Sequence, residues 1–161
     1  MATQENFATA FAGESQANRK YLCFADQAEK EGFSNIARLF RATAEAETIH
    51  AFAEFRAKGG VGTTASNLQA AINGETYEFT EMYPPMITEA ESQGNKEAVR
   101  IFTYADKAEK IHAALYTDAL NDMNNTEADY YLCPICGFIH KGATTDSCPI
   151  CGAKASIFQK F

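Results

Sequence analysis

The chain has no uninterrupted apolar run near the roughly 18 to 20 residues needed to cross a bilayer, so a membrane-spanning protein is not expected. Its opening residues, Met1-Ala-Thr-Gln-Glu-Asn, lack the basic stretch and apolar segment of a secretory signal, which points to a cytoplasmic protein. Basic charge is also short. Fourteen Lys and Arg face 21 Asp and Glu, a formal net charge of −7, so the summed field repels nucleic-acid phosphates and anionic membrane surfaces. Neither is an expected partner. Proline and glycine are few, 4 and 10, and fall in clusters that act as punctuation. Histidine and cysteine are scarcer still, 3 and 5 copies, and their placement is far from random. What is abundant is ordinary globular material, 46% hydrophobic and 12% aromatic, so the 161 residues can bury a core.

Cys133, Cys136, Cys148 and Cys151 all lie near the C-terminus, behind a polar stretch, Asn121 to Asp129, that is poor in core formers. The expected organisation is a main domain over 1–122, a linker over 123–129 and a small domain over 130–161. Within the main domain, apolar residues recur at spacings of three and four, which predicts helices. The first runs from about Thr3 to Glu31, with Phe7, Phe11, Glu14, Tyr21, Ala25 and Ala28 on one stripe. The second runs from Ser34, as N-cap, to Lys58, with Phe40, Glu47 and His50 on its stripe, and stops at Gly59-Gly60. After a connector over Thr63–Ser66, a third carries Leu68, Ile72, Glu75, Glu78 and Met82 and should kink at Pro84-Pro85. A fourth, Lys96 to Asn121, aligns Phe102, Ala105, Glu109, His112 and Tyr116. Four such helices predict a mainly α protein, an antiparallel four-helix bundle.

Each stripe meant for the core carries a glutamate: Glu14, Glu47, Glu78 and Glu109. A buried unpaired carboxylate is costly unless protonated, paired with a base or bound to a cation, and basic residues are missing from these stripes. Metal is the economical answer. Glu47-x-x-His50 and Glu109-x-x-His112 use two of the three histidines at i, i+3, which puts both side chains on one helical face. One Glu from each of two helices plus Glu-x-x-His from each of two others is the pattern of di-iron and di-manganese carboxylate bundles. A lone Glu-x-x-His is more often a solvated surface pair; four matches in register are not. Carboxylate and imidazole donors without thiolate favour iron. Glu81 is an extra carboxylate three residues after Glu78. Two ferric ions carry more charge than two ferrous ones, and recruiting Glu81 on oxidation would hold the site near neutral.

Cys133-Pro-Ile-Cys136-Gly and Cys148-Pro-Ile-Cys151-Gly are two copies of one knuckle. Four thiolates at that spacing make a tetrahedral site for iron or zinc, and the glycines permit turns that aim backbone N–H groups at sulfur. Iron, as a one-electron carrier, suits a neighbouring di-iron site; zinc would be structural. Cys23 reads as a small buried apolar residue, His140 as an exposed loop residue, and Tyr21 as either a core tyrosine or a hydrogen-bond partner of a ligand carboxylate.

Phe11-Ala-Gly-Glu-Ser-Gln-Ala17 with Tyr21, Glu47-x-x-His50, Glu78-Phe-Thr-Glu81-Met-Tyr-Pro84, Glu109-x-x-His112 and the paired knuckles resemble the rubrerythrins over essentially the whole chain. The resemblance implies a ferritin-like bundle followed by a rubredoxin-like domain with short β-strands. It implies an oxidoreductase: a non-haem di-iron peroxidase of oxidative-stress defence that reduces hydrogen peroxide to water. Electrons would reach it from rubredoxin or a nicotinamide-dependent reductase through the iron held by Cys133, Cys136, Cys148 and Cys151. The di-iron ligands implied are Glu14, Glu47, His50, Glu78, Glu81, Glu109 and His112, with His50 and Glu81 exchanging on one iron. The resemblance also implies a head-to-tail homodimer in which the thiolate-bound iron of one chain approaches the di-iron site of the other. Two alternatives stand beside it: an iron-handling ferroxidase, and a metal-binding module with a structural zinc ribbon.

Overall fold

A computed structural model describes residues 2–124 and 128–161 of the chain, in two compact units, Met1–Gly62 and Thr63–Phe161. The first is a helical hairpin. Helix α1 (Ala2–Lys30) and helix α2 (Ser34–Ala57) pack along a seam of small residues, Ala25 and Ala28 on α1 against Ala37, Ala44 and Ala51 on α2. The α2 alanines recur every seventh residue, which keeps them on one side of the helix and lets the backbones approach. At the centre of the seam the buried Asn18 amide donates to the Ala44 carbonyl (2.7 Å) and to Thr48 Oγ1 (2.8 Å), pinning the two helices in register. Beyond it, Tyr21, Phe24 and Phe40 form one aromatic cluster, and Phe11 and Phe55 another with ring centroids 4.8 Å apart.

The end of α2 has a physical cause in its glycines. Gly59 sits at φ 77°, its N–H bonding the Arg56 carbonyl (2.9 Å), while Gly60 N–H bonds the Phe55 carbonyl (2.9 Å). This pair of backward bonds closes the helix and requires the left-handed residue that glycine supplies. The start of α2 differs from the expectation. Ser34 is already helical, Phe33 holds the cap position without a side-chain bond, and the Ser34 hydroxyl donates instead to Glu29 Oε1 (3.0 Å).

The second unit begins at helix α3 (Thr64–Tyr77), not at a connector ending at Ser66, because Thr63 caps it by accepting from the Ser66 N–H at 3.2 Å. A π-helical turn over Glu78–Met82 follows, then helix α4 (Tyr83–Ser92) and helix α5 (Lys96–Asn121). The break in the third helix therefore comes before Pro84-Pro85. The prolines lie in the opening turn of α4, where a missing N–H costs nothing, and the wider π turn absorbs the mismatch upstream. The small C-terminal sheet has order β2-β1-β3, all antiparallel: β1 (Tyr130–Leu132) pairs with β2 (Ile139–Lys141) and with β3 (Gln159–Lys160). Of the linker expected over 123–129, residues 125–127 lie outside the described residues.

Two single-residue expectations are corrected. Cys23 is exposed, since it sits on the face of α1 turned from the alanine seam. His140 is a half-buried strand residue rather than an exposed loop one; its Nδ1 lies 2.9 Å from the Gly142 carbonyl, and its ring stands edge-on to Phe138.

Replacing Asn18 by Ala removes the two bonds across the hairpin and should lower stability by about 1 kcal/mol, measured as a fall in the denaturant midpoint at unchanged m-value.

Candidate metal centres

The Asn18 contact sets the first cluster. One helical turn before it on α1 is Glu14, and Thr48, its partner on α2, is flanked by Glu47, so pinning the seam brings these carboxylates together. His50, i+3 from Glu47, completes the group. Its Nδ1 lies 2.9 Å from Glu47 Oε2 and 3.9 Å from Glu14 Oε2. The donor atoms of all three fall within 4.8 Å of one another. The crowding has an electrostatic signature: a hydrogen bond shared with Glu47, then burial, raises the Glu14 carboxyl above its ordinary range. This cluster is open on the His50 side, whose side chain is 57% exposed.

The second cluster is Glu75, Glu109 and His112, again within 4.8 Å of one another. His112 Nδ1 lies 2.6 Å from Glu109 Oε2 and 3.5 Å from Glu75 Oε2. It is the more enclosed of the two, with His112 only 16% exposed. Burial, then a hydrogen bond from Glu75, pushes the Glu109 carboxyl up to about 7. Burial and the charge of Glu75 also raise Glu78, which senses His112 as well and so stands at the edge of this group. Among the described residues, the ion pairs of Glu14, Glu47, Glu75 and Glu109 are with His50 and His112, not with a lysine or arginine.

The structure thus brings Glu14, Glu47 and His50 together, brings Glu109 and His112 together, and leaves Glu78 adjacent. Glu81 joins neither cluster among the described residues and is exposed. Glu78 and Glu81 both belong to the π turn, and in a turn that wide three residues fall well short of one full revolution. Glu75 and Glu78, spaced i, i+3 with Glu75 still in α-helix, meet on one face instead. Sequence reasoning placed Glu75 on the stripe and passed over it as a donor. The signal that points to it is the internal repeat: Glu14 precedes Glu47 by 33 residues and Glu75 precedes Glu109 by 34, whereas Glu78 precedes Glu109 by only 31.

The cysteines form the third group. Each knuckle closes the same way: Cys133 N–H bonds the Phe138 carbonyl and Cys148 N–H the Ala153 carbonyl, while Gly137 and Gly152 bond back to the carbonyls of Cys133 and Cys148. Sulfur separations of 3.6 Å for Cys133 and Cys151 and 3.4 Å for Cys136 and Cys148 are far longer than a disulfide. They are close to the edge of about 3.8 Å expected when four thiolates surround a metal at 2.3 Å. Burial raises the Cys136 thiol, whereas at Cys148 the burial effect is outweighed by N–H groups of Cys151 and Ile150, which hold it low. Those N–H groups are the donors a bound thiolate requires.

Two carboxylate–imidazole clusters on helices and a four-thiolate knuckle pair are the donor sets of a di-iron carboxylate centre and a rubredoxin-like iron or zinc site. The class is therefore that of di-iron carboxylate proteins with a rubredoxin-like appendage. Comparison narrows it. The rubrerythrin family profile matches residues 5–58 and 50–120, and the profile of the rubrerythrin rubredoxin-like domain matches residues 131–159. Nigerythrin of Nitratidesulfovibrio vulgaris is 43% identical over 175 residues, covering 99% of this chain and 87% of its own. Rubrerythrin-2 of Clostridium acetobutylicum is 39% identical over 177 residues, covering 99% and 96%. A solved structure of nigerythrin in its fully reduced, all-ferrous state is similar with a TM-score of 0.62 at 40% identity, covering 99% of this chain and 86% of that one. The chain belongs to the rubrerythrin family, and it is accordingly an oxidoreductase of mainly helical, ferritin-like fold with a rubredoxin-like C-terminal region.

The raised Glu109 carboxyl gives a signed expectation for the metal-free protein. Its folded value of about 7 lies above the ordinary 4.5, so the folded state holds the proton more tightly. Its stabilising contribution is complete below about pH 4.5 and is lost as pH rises to about 7. Denaturant titrations across this range should show that loss in metal-free wild type and a flatter profile in Glu109→Gln.

Proposed function

We propose that the protein is a non-haem di-iron peroxidase that reduces hydrogen peroxide to water in defence against oxidative stress. The observation that carries this reading is the presence, in one chain, of carboxylate–imidazole clusters and a four-thiolate site. When bound, an iron pair supplies the two electrons that O–O cleavage consumes, and a thiolate-held iron restores them singly. The all-ferrous state of nigerythrin supports iron as the metal here.

The ligand set we assign is Glu14, Glu47, His50, Glu75, Glu78, Glu109 and His112 for the iron pair, and Cys133, Cys136, Cys148 and Cys151 for the single iron. The charge argument for a fifth carboxylate is met by Glu75, without Glu81. Both imidazoles turn Nδ1 toward their carboxylates, which supports Nδ1 as the metal-binding atom on each. The carboxylates carry the negative charge that offsets the ions, and the partial burial of Glu75, Glu109 and His112 strengthens that attraction.

Electrons would come from rubredoxin or a nicotinamide-dependent reductase. A homodimer is supported by the large apolar side chains that α2 exposes, Leu39 at 65%, Ile49 at 63% and Phe52 at 55%. A cytoplasmic setting is supported by Cys133, Cys136, Cys148 and Cys151, whose spacing suits a thiolate metal site, which a reducing compartment preserves.

Rapid mixing of the fully reduced, iron-loaded protein should show peroxide consumed much faster than oxygen. The opposite preference would make it a ferroxidase, and a colourless four-cysteine site after iron loading and reoxidation would make the knuckles a zinc module. Glu75→Ala should lower peroxide turnover by at least about 10- to 100-fold, the loss brought even by disturbing a metal's outer shell. Glu81→Ala should stay within about twofold; the reverse pattern would return the role to Glu81.

A further inference from the structure

Beside His112, helices α3 and α5 and the small sheet border an apolar hollow of about 390 Å³. Its α5 wall is His112, Leu115, Tyr116 and Ala119, spaced i, i+3, i+4 and i+7, one helical face over two turns. Leu68 lines it from α3, and Glu75 lies two turns further along that helix on the same face. Tyr130 and Ile139 of the sheet complete the wall. The hollow therefore begins at the Glu75–Glu109–His112 cluster, shares the His112 ring with it, and runs about 10 Å along α5 away from it. That ring is fixed at both nitrogens, since Nδ1 faces Glu109 and Glu75 while Nε2 donates to the Gly137 carbonyl at 2.8 Å.

Size and lining say what the hollow can hold. A cavity of about 150 Å³ lined by aliphatic and aromatic side chains stays dry and takes up benzene. At about 390 Å³ this one has room for a substituted ring, and its wall, apolar apart from His112 and the hydroxyls of Tyr116 and Tyr130, is that of a small-molecule site. Hydrogen peroxide carries no hydrocarbon and gains nothing from such a wall. A second, more polar hollow of about 240 Å³ shares Leu68, Ala119 and Tyr130 with the first, and Asp118, Asp122 and Lys141 stand around it. Two carboxylates against one ammonium give this outer part a negative balance, which turns away anions and admits uncharged molecules.

We propose that this hollow seats the hydrocarbon body of an uncharged organic hydroperoxide, its O–O group turned to the His112 end, so that the protein reduces organic hydroperoxides as well as hydrogen peroxide. The proposal rests on the peroxidase reading and names a second substrate class for the same cluster. The O–O bond breaks, the oxygen on carbon stays as an alcohol and the outer oxygen leaves as water. Two electrons, from the source that serves hydrogen peroxide, and two protons from solvent complete the balance. Leu115 and Ala119 touch only the hydrocarbon body, so they set specificity. Burial of that body holds substrate and transition state alike, and the advantage over hydrogen peroxide falls on KM.

Two measurements test it. The first needs no turnover: full-length protein loaded with zinc, which is redox-silent, is titrated with 2-phenyl-2-propanol, the alcohol that cumene hydroperoxide leaves. Methyl resonances of Leu68, Leu115 and Ile139 should shift saturably while those of Leu39 and Ile49 on α2 stay in place. No saturable shift, or equal shifts on α2, overturns the site. Ala119→Trp, which fills the hollow, should abolish the response; a response that survives in the folded variant overturns it too. The second measurement is steady-state reduction by iron-loaded wild type, where KM for cumene hydroperoxide should lie at least tenfold below that for hydrogen peroxide. In Ala119→Trp the ratio of the two kcat/KM values should fall at least tenfold toward hydrogen peroxide. If that variant does not fold, the wild-type titration and the wild-type KM values decide by themselves. Reduction of hydrogen peroxide without reduction of cumene hydroperoxide overturns the proposal and leaves the peroxidase reading standing. Reduction of neither overturns both.

Discussion

The constraint on which the structure depends is negative charge brought together with, among the described residues, one imidazole per cluster as its basic partner. Glu14 with Glu47, and Glu75 with Glu109, stand close enough to shift their titration: a hydrogen bond shared with Glu47 and burial raise Glu14, and burial and a hydrogen bond from Glu75 push Glu109 up to about 7. Such crowding is tolerable when a carboxyl keeps its proton or when a divalent cation binds, and both clusters carry the donor atoms that suit a cation. Helix geometry serves this requirement. The alanine seam lets α1 and α2 approach, Asn18 fixes their register, and the i, i+3 spacing of Glu and His turns both donors to one side.

The helical elements were legible in the sequence because their boundaries have local causes. Helix α5 runs from Lys96 to Asn121 as its periodicity indicates, and its start is fixed by Asn95, whose side chain accepts from the Ala98 N–H. The cysteine knuckles were equally plain, since their spacing is the site. The π turn was not. Its i to i+5 bonding leaves no compositional mark in Glu78-Phe-Thr-Glu81-Met82, and the conspicuous Pro84-Pro85 drew the expected break downstream. That displacement also bears on Glu81: an unbroken helix of ordinary pitch would keep it on the face of Glu78, whereas the π turn separates it from the cluster that Glu75 joins. Only the near-equal 33- and 34-residue spacings in the two halves mark Glu75 from sequence alone. The placement of Cys23 is a smaller case of the same kind, because one residue's rotation about a helix decides exposure and periodicity fixes rotation only to within a residue or so.

The contact between His112 and Gly137 could not have been read from either residue. They are 25 positions apart, on elements whose local causes are unrelated, and what joins them is a face of α5 built from Tyr104, Ala108 and Ile111. Small residues are the clue in retrospect. Ala108 and Gly137 leave room where a larger pair would hold the sheet away from the helix.

This difference in support makes the two histidines unequal, although their Glu-x-x-His motifs are the same. His112 is gripped at Nδ1 by carboxylates and at Nε2 by a backbone carbonyl, and little of it reaches solvent. Turning its ring would break a bond on each side and unsettle the contact with the cysteine unit. His50 contacts its carboxylates through Nδ1 alone, and more than half of its side chain is exposed. If one imidazole must leave a metal when its charge changes, the energetic cost is lower at His50, because fewer bonds are lost and water can replace them. The same motif thus yields a ring held at two nitrogens in one case and at one in the other, so what surrounds the motif, and not its spacing, decides how readily each imidazole turns.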